Sequence, residues 1–147
     1  MNEQNESILA ATLAGIPGAA LLEVRGHGLW MTAPGIDVLH MARAMISLGF
    51  RLSTMSGTAQ EDGETEVIYH YSMARTSLNI RTQTRGGALP SISPLERSAS
   101  WIEREIHDLY AVTFVGHPNP ERLLRPPQLE EGFCREPGGA AARELKA

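Results

Sequence analysis

The sequence predicts an α+β domain, a small antiparallel β-sheet packed with two amphipathic helices, and three observations carry that prediction. Apolar residues recur at three- and four-residue steps across 36–48 and again across 94–110. Residues 78–84 alternate, with Leu78, Ile80, Thr82 and Thr84 set against Asn79, Arg81 and Gln83. Gly26-His27-Gly28 and Asp62-Gly63 fall between β-forming runs, where tight reversals belong. The expected order is α-β-β-α-β-β-β-α over residues 1–125, followed by a Pro/Gly/Ala-rich tail, 126–147, expected to be extended or disordered.

Residues 5–14 carry Ile8, Leu9, Thr12 and Leu13 at helical spacing, closed by Gly15 and Pro17, which predicts a short helix. Leu21, Leu22 and Val24, then Leu29, Trp30 and Met31, predict two strands of a hairpin. Val38, Leu39, Met41, Ala42, Met45 and Ile46 line one side of the next helix, with Asp37, His40, Arg43 and Ser47 mostly opposite, and Gly49 ends it. Phe50, Leu52 and Thr54 alternate with Arg51 and Ser53, which predicts a strand. Beyond the Gln60–Glu64 turn, Val67, Ile68, Tyr69 and Tyr71 predict its partner. Residues 78–84 read as a third antiparallel strand with one face to solvent. Arg85 to Pro90 breaks the sheet. Ser93, Pro94 and Glu96 form a complete helix-start signal: a cap, a proline at the first helical position and a carboxylate able to bond back to the cap.

Composition narrows the function. The 147 residues suit one domain, with 42% apolar and 20% charged residues. A formal charge of -4 and no Lys/Arg-rich run argue against nucleic acid. Cys134 is the only cysteine, so neither an internal disulfide nor a multi-cysteine cluster site can be built from this chain, and a reducing, cytoplasmic setting is expected. No apolar run approaches the roughly 20 residues that span a bilayer. The N-terminus lacks the features of a secretory signal, so membrane association is expected only through partners.

The helix over 94–110 places Leu95, Ala99, Ile102, Ile106 and Leu109 in one stripe. Trp101, Glu105 and Asp108 fall on a second flank, and Glu103, Arg104 and His107 on the expected outward face. Two readings stand side by side. One is a solvated surface with helix ion pairs such as Arg104 with Asp108, or Glu103 with His107. The other is an aromatic anchor ringed by charges, half of a protein interface.

The run from Ala99 to Tyr110, ASWIEREIHDLY, continuing through Phe114-Val115-Gly116-His117-Pro118-Asn119, resembles the signature of the C-type subunit of NADH:quinone oxidoreductase. The module is shared with membrane-bound NiFe-hydrogenases and formate hydrogenlyases. The resemblance is carried by motif from about 90 to 124 and by architecture alone from about 36 to 84. It implies a helix leading into an aromatic-Gly turn, a strand and a Gly-His-Pro loop. Position 111 is Ala where the family pattern usually has Gly, which bears on whether that turn keeps the family's backbone. The longer quinone-oxidoreductase forms continue into a basic-Asp-Phe-Pro-Leu segment. None is present here, which leans the expectation toward the hydrogenase-type branch.

The resemblance further implies a cofactor-free subunit of the hydrophilic arm, peripheral on the cytoplasmic face of the membrane. It would dock on the large catalytic subunit near iron–sulfur subunits, with iron–sulfur clusters and NiFe, flavin or quinone held by partners. The expected partner-binding residues are Trp101, Glu103, Arg104, Glu105, Asp108, Gly116, His117 and Pro118. The Gly116–Pro120 segment also reads as a plain surface turn.

Other chemistries are weaker. Glu103 and Glu105 project roughly 200° apart on a helix and cannot share a substrate. The histidines at 27, 40, 70, 107 and 117 show no metal-ligand spacing, Cys134 lacks an activating environment, and neither glycine cluster is a phosphate loop. A free-standing α+β binding domain and a small hydrolase using His117 with Asp108 remain as alternatives, the latter requiring a pocket that joins the two.

Overall fold

The structure, a computed structural model, describes residues 3–26 and 28–135. Helix α1 (Glu3–Ala14) buries Leu9 and Leu13. Strands β1 (Leu22–Arg25) and β2 (Gly28–Thr32) pair antiparallel as the expected hairpin, whose turn residue His27 lies outside the described residues. Helix α2 (Val38–Ser47) starts at Asp37, whose carboxylate accepts the His40 N–H at 2.9 Å. It buries Val38, Met41, Ala42 and Met45, one apolar stripe in the core.

Strands β3 (Arg51–Ala59), β4 (Thr65–Met73) and β5 (Thr76–Gln83) follow. The Gln60–Glu64 turn joins β3 to β4, with the Gln60 N–H bonded to the Glu64 carbonyl at 2.9 Å. A register shift between Leu52 and Thr54 moves the core side of β3 from Leu52 to Met55 and Gly57. Thr54, expected on the same face as Leu52, is therefore exposed.

The α+β class holds, and the sheet order is β1-β2-β5-β4-β3. The sheet is mixed, because β5 pairs antiparallel with β4 but parallel with β2. Strand β5 is thus central, with Leu78, Ile80 and Thr82 buried on its core face and Thr84 buried just beyond its end. Local alternation shows which face is apolar and carries no information about the neighbour across β2.

A second, two-stranded parallel sheet joins β6 (Ala88–Pro90) to β7 (Thr113–Val115), with helix α3 (Ala99–Tyr110) between them in sequence. Helix α3 begins at Ala99, later than the Ser93 signal implies. Residues 92–98 wind through successive turns instead. Ser93 pairs with Ser91 at 2.7 Å, and the Glu96 carboxylate turns away from the helix to accept Tyr71 Oη at 2.8 Å and the Leu52 N–H at 3.3 Å. The residues that look like a cap fasten this segment to β3 and β4.

Residues 126–135, expected to be extended or disordered, turn back onto α3. The Gly132 and Cys134 N–H groups each donate at 2.9 Å, to the carbonyls of Asp108 and Leu109. Those carbonyls are left without partners inside the helix, so the returning segment caps it. The rest of the expected tail, 136–147, lies outside the described residues.

Candidate functional site

Helix α3 is seated on β3 through Ile106 and Tyr110, both against Gly57. The approach is close: a Cβ placed on Gly57 would stand 2.9 Å from the Tyr110 ring. At the other end Ala111 takes a left-handed conformation, φ 55°, and donates its N–H to the His107 carbonyl at 2.8 Å. Alanine adopts the backbone that glycine favours in this turn, at some cost in strain. Gly132 rests against it, and a Cβ there would approach the Ala111 Cβ to 2.8 Å.

Glu103, expected on the outward face, is fully buried. Its Oε1 accepts the Ile92 N–H at 2.8 Å and its Oε2 accepts Ser91 Oγ at 2.5 Å. His117 Nε2 stands 3.7 Å from Oε2 and 3.0 Å from the Ser100 carbonyl oxygen, and His117 Nδ1 accepts the Asn119 N–H at 3.0 Å. One carboxylate thus joins α3 to the strand-to-helix segment and to the Gly-His-Pro loop. Burial pushes the Glu103 carboxyl above the ordinary carboxylate range, while Ser91, the Ile92 N–H and His117 pull the other way.

Asp108 is also fully buried, contrary to its expected place on an open flank. Its Oδ2 gathers three consecutive N–H groups, from Leu123, Leu124 and Arg125, at 2.9, 2.8 and 3.0 Å. Arg125 Nε lies 3.8 Å from Oδ1, beyond hydrogen-bond reach, so that pair interacts as charges. Burial raises the Asp108 carboxyl, but the three N–H donors and the guanidinium outweigh it and leave the group below its ordinary value. Arg104 does not pair with Asp108; its guanidinium donates to the carbonyls of Glu121 and Arg122 at 2.6 and 3.0 Å. His107, expected to meet Glu103, contacts the Val112 carbonyl and the Glu131 carboxylate instead, both at 2.9 Å.

Glu103, Arg104, His107 and Asp108 are therefore occupied in clamping residues 91–92 and 112–135 around α3. What remains outward is different. Trp101 is 70% exposed, Glu105 is half-buried, and Gly116 and Pro118 are exposed. Two further apolar side chains, Val115 and Leu124, are exposed at 60% and 65%. Asp108 follows Trp101 by two helical turns, about 10 Å, on the same side of the rod. The loop that carries Leu124 is tied to Asp108, so the indole and Leu124 belong to one side of α3. The exposed Leu124 escapes sequence reasoning because nothing local shows that 123–125 is pinned; an apolar pair in a loop, Leu123-Leu124, is the available signal.

Acid–base chemistry finds no support here. The cavity beside His117, lined by Glu103, Arg104, His107, Phe114 and others, is about 60 Å³, well below the few hundred needed for a small-molecule substrate, and Asp108 does not line it. His117 faces Ser100 and Glu103 while Asp108 faces residues 123–125, so the structure does not bring together the pair on which the hydrolase alternative depends. Among the described residues no group of three or more His, Cys, Asp or Glu could hold a metal ion, and no helix is long and apolar enough to cross a membrane.

Fold and site together define a small α+β module organised around one helix that is clasped by its own loops and carries an exposed indole. Residues 33–137 match the family described as respiratory-chain NADH dehydrogenase, 30 Kd subunit, and the chain belongs to that family. Similar proteins include the J subunit of the NAD(P)H-quinone oxidoreductase of Synechococcus sp., 36% identical over 98 residues, covering 58% of this chain and 56% of the relative. The mitochondrial NADH-ubiquinone oxidoreductase 30.4 kDa subunit of Neurospora crassa is 39% identical over 67 residues, 44% of this chain and 24% of the relative. The C/D subunit of the NADH-quinone oxidoreductase of Methylococcus capsulatus is 37% identical over 84 residues, 54% of this chain and 14% of the relative. The matched stretch is less than two thirds of each relative. Two solved structures share the fold. A chain of the membrane-bound sulfane sulfur reductase, an archaeal respiratory membrane complex, superposes with TM-score 0.69 at 23% identity, covering 88% of this chain and 79% of that one. The trypsin-resistant fragment of Nqo5 gives TM-score 0.60 at 24% identity, covering 78% and 97%.

Proposed function

We propose that this chain is a subunit, without a redox group of its own, of the hydrophilic arm of a membrane-associated, complex-I-like oxidoreductase. It docks on a large catalytic subunit through the Trp101 side of α3 and holds that neighbour in position for electron transfer. The exposure of Trp101 carries the reading. A large indole left in water, on a rod whose neighbouring charges are already satisfied internally, is pre-organised to bury apolar area at little further conformational cost. Glu105 and Leu124 lie on that side of α3, and the exposed Gly116, Pro118 and Val115 are added as further docking residues. Glu103, Arg104, Asp108 and His117 act through the loops they position. The C/D relative supports a D-type partner, since one polypeptide there bears both designations.

On this reading the iron–sulfur clusters, and NiFe, flavin or quinone, reside in neighbouring subunits, and attachment to the cytoplasmic face of the membrane is indirect. The named relatives favour the quinone-oxidoreductase branch. None of the relatives named above carries the lean toward NiFe-hydrogenase or formate hydrogenlyase, and the reductase likeness at 23% identity speaks for fold alone.

The test is affinity purification of the tagged full chain from its native membrane fraction. A large subunit and cluster-bearing subunits should co-elute, and the separated chain should show no stoichiometric visible absorbance. Recovery of the chain alone, or with its own chromophore, contradicts the proposal.

A further inference from the structure

The Gly-His-Pro loop is held by an imidazole that satisfies two opposite demands. His117 Nδ1 accepts the Asn119 N–H at 3.0 Å, and Nε2 faces the Ser100 carbonyl oxygen at 3.0 Å. A backbone N–H can only donate and a carbonyl can only accept, so both contacts exist together only in the neutral form with its proton on Nε2. The His117 side chain is 2% exposed, with the Nε2 contact part-buried and the Nδ1 bond to Asn119 on the exposed side of the loop. Two residues beyond Asn119, the chain is gripped again, by Arg104 on the carbonyls of Glu121 and Arg122. The stretch 118–120 hangs between these anchors.

We propose that residues 116–120 form a proton-sensitive latch, shut while His117 is neutral and released at Asn119 when His117 takes up a proton on Nδ1. The added N–H points at the Asn119 N–H, two donors face each other, and that bond breaks. The cation itself is accommodated: Glu103 Oε2 lies 3.7 Å from Nε2 on the other side of the ring. Around the ring, Arg104 shares its cavity and opposes a second positive charge, His107 lines the same cavity, and Tyr69 of β4 lies within electrostatic reach of the same Glu103 carboxylate. The imidazole stays in place and the change is confined to 118–120. Pro118 is among the proposed docking residues, so protonation would alter how they are presented; this consequence rests on the docking reading, whereas the latch does not.

The test uses the full chain alone, by nitrogen-15 NMR of the His117 ring and hydrogen exchange of the Asn119 amide. The span runs from about pH 8 to about pH 5. After correction for the intrinsic pH dependence of exchange, Asn119 should exchange about 3- to 10-fold faster once Nδ1 is protonated, the loss of one hydrogen bond. In His117→Gln the side-chain oxygen can accept the Asn119 N–H and the amide can donate to Ser100 at every pH, so the corrected exchange should be flat. Protonation of Nδ1 with Asn119 protection retained in the wild type overturns the latch, as does the same pH step in His117→Gln. Failure of partner binding leaves both measurements intact and tells instead against the docking reading.

Discussion

Tyr71 donates its hydroxyl to Glu96 Oε2 at 2.8 Å, joining the far end of β4 to a residue three positions before α3. Tyr71 is 1% exposed, and the Glu96 carboxylate also accepts the Leu52 N–H. Glu96→Ala should strand both donors and lower stability by about 1–3 kcal/mol, with the helical circular-dichroism signal of the folded state unchanged because Glu96 caps nothing. A variant that loses helix content without losing cooperativity in urea would point back to a capping role.

Glu103 and Asp108 are buried carboxylates whose titrations should push stability in opposite directions. Burial holds the Glu103 carboxyl above its ordinary range. The folded chain therefore binds that proton more tightly than the unfolded one, and the Glu103 contribution is most favourable below about pH 4 and declines as pH rises through the folded value. Glu103→Gln should flatten that decline and match or exceed wild-type stability at neutral pH. Glu103→Ala should cost about 1–3 kcal/mol by orphaning the Ile92 N–H and Ser91. Urea denaturation across the pH range checks both, and identical slopes in wild type and Glu103→Gln would refute the assignment.

Asp108 has the reverse sign. Its carboxyl is raised by burial but lowered more by the N–H groups of Arg125, Leu124 and Leu123 and the Arg125 guanidinium. The resulting stability is present above about pH 3.9, the unfolded value, and is lost as pH falls through the folded one. Asp108→Asn should cost about 1–3 kcal/mol at pH 7, and the deficit should shrink when the two proteins are compared near pH 3. A deficit independent of pH would mean that the charge of Asp108 is not what holds residues 123–125.

Ala111 keeps a left-handed backbone at the end of α3. Ala111→Gly should raise the urea midpoint, by about 1 kcal/mol of stability, and leave the Gly132 contact unhindered. A loss of stability instead would show that the Ala111 methyl, against Gly132 and beside the returning segment, contributes more by packing than it costs in strain.

Much of this architecture is legible from residue order. The α2 stripe, the Gln60–Glu64 reversal, both hairpins and the alternation of β5 follow from periodicity and turn chemistry alone. The parallel pairing of β2 with β5 does not, because strand order is a long-range choice that local alternation does not encode. The position of Glu103 is recoverable: it lies four residues after Ala99 and three before Ile106, in the middle of the buried stripe. Reading it as outward assumes that a carboxylate avoids the core, whereas Ser91 and the Ile92 N–H provide its bonds inside. Asp108 offers no such sign, since the N–H groups it gathers arrive from a loop more than a dozen residues downstream.

The most direct measurement of the central claim is the dissociation constant of the full chain for its large-subunit partner, with Trp101→Ala compared against wild type. Removing the indole should weaken binding at least about 30-fold, as expected for an aromatic anchor worth roughly 2 kcal/mol, and leave the urea midpoint of the free chain unchanged because Trp101 is 70% exposed there. An unchanged dissociation constant for a folded Trp101→Ala chain would contradict the account, and the docking surface would then lie elsewhere on the molecule.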